Sequence, residues 1–98
     1  MEIFYEGQTV RIYEEVRTFD DVLADPTTIK VTITDPTGTV KVVAQAMTKY
    51  NAETGKYEYY YNLPASANKG NWDVYVAVVD GTGDIAKTTP DYGTFTVA

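Results

Sequence analysis

The sequence predicts an all-β fold, an antiparallel sandwich of about seven to eight short strands packed in two sheets. Three observations carry that expectation. Apolar and polar residues alternate over short stretches; turn signals recur roughly every ten residues; and no stretch keeps the apolar spacing of a packed helix. Composition agrees. Nine tyrosines in 98 residues, among many valines and threonines, suit pleated, half-buried surfaces.

The opening strand is short, Glu2 to Tyr5, and Glu6-Gly7 breaks it. In the next segment Val10 and Ile12 fall on one parity with Glu14 and Val16, and Thr9, Arg11, Tyr13 and Glu15 on the other. Glu14 on the apolar parity suggests that this strand runs out to an edge or rim. Thr18 to Asp25 reads as a loop, with Phe19, Val22 and Leu23 tucking a turn onto the core. Asp25-Pro26-Thr27 closes it: aspartate bonds to the backbone ahead and proline fixes φ.

Ile29, Val31 and Ile33 then face one way and Lys30, Thr32 and Thr34 the other. Asp35-Pro36-Thr37-Gly38 is a type I turn signature. A strand over Thr39 to Ala46 continues loosely to Lys49, and Asn51 to Gly55 turns the chain. Beyond it Tyr57, Tyr59 and Tyr61 share one face, and Lys56, Glu58, Tyr60 and Asn62 the other. Leu63-Pro64 ends that strand, and Ala65 to Gly70 is a loop or a single helical turn. Asn71 to Asp80 is the strongest strand, with Trp72, Val74, Val76 and Val78 in alternation. Its second half is apolar on both parities, which predicts a central strand covered on both faces. A loop over Asp80 to Asp84, a broken strand through Ile85 to Lys87, an irregular stretch to Gly93 and a closing strand over Thr94 to Ala98 complete the chain. The expected core comprises Val10, Ile12, Val31, Ile33, Tyr57, Tyr59, Trp72, Val74, Val76 and Phe95.

Bulk properties exclude several functions. The formal charge is −6, and the lysines and arginines are scattered, so no basic footprint exists to neutralise phosphates. That balance also disfavours anionic membranes. No apolar stretch is long enough for a membrane helix, and nothing after Met1 has the layout of a signal peptide. With no cysteine and no histidine, the chain has no thiolate or imidazole for catalysis or metal binding. One domain over 1–98 is the expectation for this length, with a core too thin for a deep catalytic cleft. The one serine, Ser66, has no histidine to activate it. The chain therefore reads as a non-enzyme, with no cofactor implied.

Several segments together resemble an immunoglobulin-like domain of the kind found in small structural proteins of tailed bacteriophages and prophages. These are Tyr5-Glu6-Gly7-Gln8-Thr9-Val10-Arg11-Ile12, Asp25-Pro26-Thr27-Thr28, Val31 and Ile33 with Asp35-Pro36-Thr37-Gly38, Gly55-Lys56-Tyr57, Gly70-Asn71-Trp72 and Phe95-Thr96-Val97. The resemblance implies an immunoglobulin-like β-sandwich that serves as a virion component: a capsid decoration, head–tail or tail accessory protein, made in the host cytoplasm. The start at Met1 and the end soon after the last strand fit a free-standing gene product. The alternative reading is an immunoglobulin-like binding module for carbohydrate or a cell-surface protein, free-standing or detached from a larger adhesin.

Either reading needs a contact surface. Tyr60 and Tyr75 point outward if their neighbours point inward, and exposed tyrosines make good anchors. Sheet edges offer unpaired backbone for strand addition or self-association into a homo-oligomer. The expected edges are the opening strand near Ile3 and the Ile85 to Tyr92 region, with Glu2, Lys87 and Pro90 as edge protectors. The loop carboxylates Asp20, Asp21 and Asp25, and Asp80 and Asp84, read as solvated turn residues rather than a calcium site, because they lack the ligand density of a calcium loop.

Overall fold

A computed structural model describes residues 2–18, 20–79, 85–89 and 92–98. Among these are nine strands: β1 (Glu2–Phe4), β2 (Thr9–Thr18), β3 (Thr28–Thr34), β4 (Val40–Ala46), β5 (Thr48–Lys49), β6 (Lys56–Asn62), β7 (Gly70–Val79), β8 (Ile85–Thr89) and β9 (Tyr92–Val97). They form a five-stranded sheet, ordered β1-β9-β7-β3-β4, and a four-stranded sheet, ordered β5-β6-β2-β8. β4 and β5 are one run of chain that changes sheets at Met47. Counted so, the strands number eight. The Met47 amide donates to the Ile29 carbonyl at 3.0 Å, and its side chain is buried.

The alternation read from the sequence places the core. Val10, Ile12 and Val16 of β2 face Ile29, Val31 and Ile33 of β3 and Trp72, Val74 and Val76 of β7, with Phe95 and Val97 closing the layer. Trp72 is fully buried and stacks on Phe95, with ring centroids 5.6 Å apart. Of the expected core residues only Tyr59 is half-buried rather than buried.

A buried polar network pins one end of this core. Asp35 Oδ1 accepts from the Thr37 amide (2.9 Å), the Thr37 hydroxyl (2.6 Å) and the Thr39 amide (3.0 Å). Oδ2 accepts from Asn68 Nδ2 at 2.9 Å, and the Asn68 carbonyl accepts from Trp72 Nε1 at 2.8 Å. The expected turn over Asp35 to Gly38 is closed by the Gly38 amide on the Asp35 carbonyl at 3.1 Å. These bonds, the Thr37 hydroxyl foremost, hold the Asp35 carboxyl down at about 2.

At the opposite end Asp25 clamps the loop after β2. Its carboxylate accepts from Lys49 Nζ (2.6 Å), the Gly55 amide (2.8 Å) and the Tyr57 hydroxyl (3.0 Å). Lys49 first, and then the Gly55 amide, lower its pKa. Gly55 has φ +74°, and a Cβ there would lie 2.8 Å from the Ala24 nitrogen, so only glycine fits the approach.

Several expectations are corrected. Glu14 does not mark a rim: it is 6% exposed and points inward, because it keeps the core-facing parity of Val10, Ile12 and Val16. Val22 is exposed and Leu23 only half-buried, because this turn is held by backbone bonds to β2 rather than by packing. β7 is central but covered on one face only; Val79 stands in solvent at the end of the strand. The sheets are not wholly antiparallel, since β1 runs parallel to β9. The stretch expected to be irregular contains the start of β9, because Tyr92 and Gly93 pair with Tyr75 and Val74. Phe19, Pro90 and the Asp80 to Asp84 loop lie outside the described residues.

Candidate interaction surfaces

The outward parity of β2 carries Arg11, Tyr13, Glu15 and Arg17, and that of β6 carries Lys56, Glu58, Tyr60 and Asn62. Register sets Arg11 opposite Tyr60 and Tyr13 opposite Glu58. The Arg11 guanidinium lies 5.0 Å from the centre of the Tyr13 ring and 4.9 Å from that of Tyr50. The two rings meet edge to face at 5.6 Å. Arg11 Nε donates to Glu58 Oε2 at 3.0 Å, and the same oxygen accepts from the Tyr60 hydroxyl at 3.1 Å. The Glu58 bond raises the Arg11 pKa, so this cation is fixed at every accessible pH.

A second knot adjoins the first. Glu15 accepts from Arg17 Nη2 and from the Tyr13 hydroxyl, each at 2.9 Å. Arg17 foremost, and then Tyr13, lower the Glu15 pKa. Burial, followed by the bond to Glu15, pushes the Tyr13 phenol up to about 12. The result is a preorganised patch of three tyrosines and two arginines whose polar atoms hold one another in place. Arginine and tyrosine are the residue types that dominate binding hot spots.

The structure separates the residues singled out from sequence. Tyr60 is 54% exposed and belongs to this patch; Tyr75 is 49% exposed on the outer face of the other sheet. Tyr75 stands in register with Thr32 on one side and Tyr92 on the other. Ile3 is 62% exposed on β1, and Ile85 opens β8. β1 and β8 are sheet edges as expected, and β4 and β5 are the two further edges that the sequence reading missed. For Ile85 and Tyr92 only the strand positions are described. Among the described residues no group of carboxylates is placed to hold a metal ion.

Sequence reasoning missed Arg11, Tyr13, Tyr50 and Glu58 as a unit. Tyr50 comes from the turn before β6, and nothing in the local pattern places it against β2. The Arg11, Tyr13 alternation with Glu58 and Tyr60 was visible, but only the register joins the strands.

The crystal structure of the Lin-41 filamin domain superposes with a TM-score of 0.61 at 14% identity, over 99% of this chain and 83% of that one. The fold is an immunoglobulin-like β-sandwich of the filamin type. No protein-family profile and no curated protein matches the chain in sequence. An immunoglobulin-like sandwich hosts many functions, so function has to be argued from the surfaces.

Proposed function

We propose that this chain is a non-enzymatic structural or assembly protein that works through protein–protein contact, with the Arg11, Tyr13, Tyr50, Tyr60 patch as its docking face. The observation that carries the reading is the preorganisation of that patch. Its guanidinium and carboxylates are already paired within the face, so a partner gains aromatic contact area without first ordering long side chains. The finer reading is a phage virion accessory, a capsid decoration or head–tail or tail component that sits in the virion. It is supported by the segment resemblance, Tyr5 to Ile12 and Asp35 to Gly38 above all.

The test is mass by light scattering at dilute and concentrated conditions, followed by sedimentation with purified particles. A defined oligomer or particle-bound fraction that Tyr60→Ala and Arg11→Ala both weaken supports the reading. Co-sedimentation unaffected by either variant would move the contact off this face.

One observation favours a second reading, a module that binds carbohydrate. Tyr13, Tyr50 and Tyr60 lie beside Glu58 and Glu15, so ring faces and hydrogen-bonding carboxylates share one surface. A glycan array probed with the wild type and with Tyr60→Ala separates it from the first reading.

A further inference from the structure

We propose that the outer edge of β6 over residues 59–63 pairs with the same stretch of a second copy of this chain, antiparallel about a twofold axis at Tyr61.

The backbone supplies the donors and acceptors. In an antiparallel sheet successive residues turn their amide and carbonyl alternately to one neighbouring strand and to the other. The Leu63 amide donates to the Gln8 carbonyl, and the Gly55 carbonyl accepts from the Val16 amide, each at 2.8 Å, so the odd-numbered residues of β6 bond to β2. The Lys56 carbonyl accepts from the Tyr50 amide at 2.9 Å, so the even-numbered residues face the other way. On that side β5 pairs with Tyr57 and Glu58 and goes no further. The chain before Thr48 belongs to the other sheet, where the Met47 amide bonds to the Ile29 carbonyl and Ala46 pairs with Lys30. Tyr60 and Asn62 thus turn their amides and carbonyls to an edge that no described strand occupies. That edge is the opposite side of the sheet from β8, and the chain that borders it, residues 40–70, is described throughout.

The side chains mark the same gap. Tyr57, Tyr59 and Tyr61 share the inward parity of β6. Tyr57, alongside β5, is buried, whereas Tyr59 and Tyr61, beyond the end of β5, are half-buried. Proteins commonly guard an open edge with charged side chains or proline. Residues 59–63 carry neither, and the adjoining Glu58 is paired with Arg11 at 3.0 Å. This stretch therefore lacks the local charge by which a chain of net charge −6 would hold its copies apart.

Symmetry selects a second copy as the occupant. The open stretch is bounded at one end by Thr48 on Glu58 and at the other by Pro64, which has no amide to give. Its centre is Tyr61. A twofold axis there sets Tyr60 opposite the partner's Asn62, and Asn62 opposite the partner's Tyr60, so the outward amides and carbonyls of both chains bond to one another. The two Tyr61 rings meet at a position between those bonds, where facing side chains lie closest. The partner's Pro64 then falls opposite Glu58, so each strand leaves the sheet where β5 of the other takes over the edge. A contact of this kind is self-complementary and closes at two copies.

The longer edge on this side of the molecule is less suited. β4 is interrupted, since its register with β3 shifts between Val31 and Ile33 and Ala44 takes φ +44°. Such irregularities blunt an edge against pairing.

The experiment is light scattering and ¹⁵N NMR of the chain from about 20 μM to about 2 mM, because so short an interface belongs to the weak class. The expected result is a mass that rises toward twice the monomer, with amide shifts centred on residues 59–63. Asn62→Pro removes an outward amide that β2 does not use, so it should keep the unfolding midpoint near wild type and weaken association about thirtyfold. The register has its own check, which stands whatever the folding of Asn62→Pro. The chain has no cysteine, so an oxidised mixture of Tyr60→Cys and Asn62→Cys chains should form mixed disulfides in excess of either homodimer. Arg11→Ala should leave this dimer intact and weaken only the particle-bound fraction, so failure of the pairing and failure of the docking face are read separately. A monomer mass across the whole range, a dimer that Asn62→Pro leaves at wild-type strength, or homodimeric disulfides in excess of mixed ones would each overturn the proposal.

Discussion

The two sheets keep their polar networks in different places. The four-stranded sheet carries its network outside, where Arg11, Glu58 and Tyr60 bond to one another in contact with water. The five-stranded sheet keeps its network inside, at the end of the core, where Asp35 gathers Thr37, Thr39 and Asn68 next to Trp72. The first network shapes a surface, and solvent screens its ion pairs, so it contributes little to folding. The second satisfies a carboxylate shut away from water, so removing any partner leaves a buried polar group exposed to cost. Location, more than the number of bonds, decides which network is open to a partner and which serves stability.

The most severe way to break that contrast is at the wall the inner network leans on. Trp72→Ala is expected to cost about 3–5 kcal/mol, read by urea denaturation, because a fully buried indole leaves a cavity. Trp72→Phe separates packing from bonding. It keeps a ring against Phe95 but frees the Asn68 carbonyl, for an expected loss on the order of 1 kcal/mol beyond the volume change.

Acid is the next test. The Asp35 carboxyl titrates at about 2 in the folded protein, against an ordinary 3.8. A depressed folded pKa contributes stability that is fully present above the unfolded value and lost as pH falls through the folded one. Stability should therefore decline between about pH 4 and pH 2. Asp35→Asn should lower stability at neutral pH and flatten that decline, as measured by thermal unfolding across the pH series. An unchanged acid limb would mean that Asp35 is not the group responsible.

The outer network should respond in the opposite sense. Arg11→Ala is expected to leave the denaturation midpoint nearly unchanged while loosening the Tyr13 and Tyr50 rings, read from aromatic NMR line shapes and from lost docking. Smallest of all is Tyr75→Ala. Tyr75 lies on the other face, so docking through the Tyr60 face should stay within error of wild type; a loss equal to that of Arg11→Ala would erase the distinction between the faces.

Much of this architecture was legible in the sequence, because a period of two is a strong local signal. The inward positions of β3, β6 and β7 follow from alternation alone, as do the turns at Asp35 to Gly38 and Asn51 to Gly55. What escaped was non-local. Glu14 keeps the inward parity of its strand, although a charge on that parity suggests a rim. Whether an inward charge lies at a rim or inside depends on the opposite sheet and on strands distant in sequence, which local alternation does not specify. β1 was placed as an edge, but its parallel pairing with β9 has no local signature. The Arg11 cluster required the register of β2 with β6 and the position of Tyr50, neither of which alternation specifies.

The kink in β4 has a consequence for how many copies of this protein can share a small volume. Ala44 adopts a left-handed backbone, a conformation that costs a residue with a Cβ roughly 1–2 kcal/mol, and its amide is held by the Thr32 hydroxyl at 3.1 Å. Beside it Val43 stands well exposed on an outermost strand. Straightened, that strand would be an apolar, β-branched edge against which a second copy could pair. The kink blunts that edge against pairing, and a variant that relaxed it would be expected to gain local stability and lose colloidal stability together.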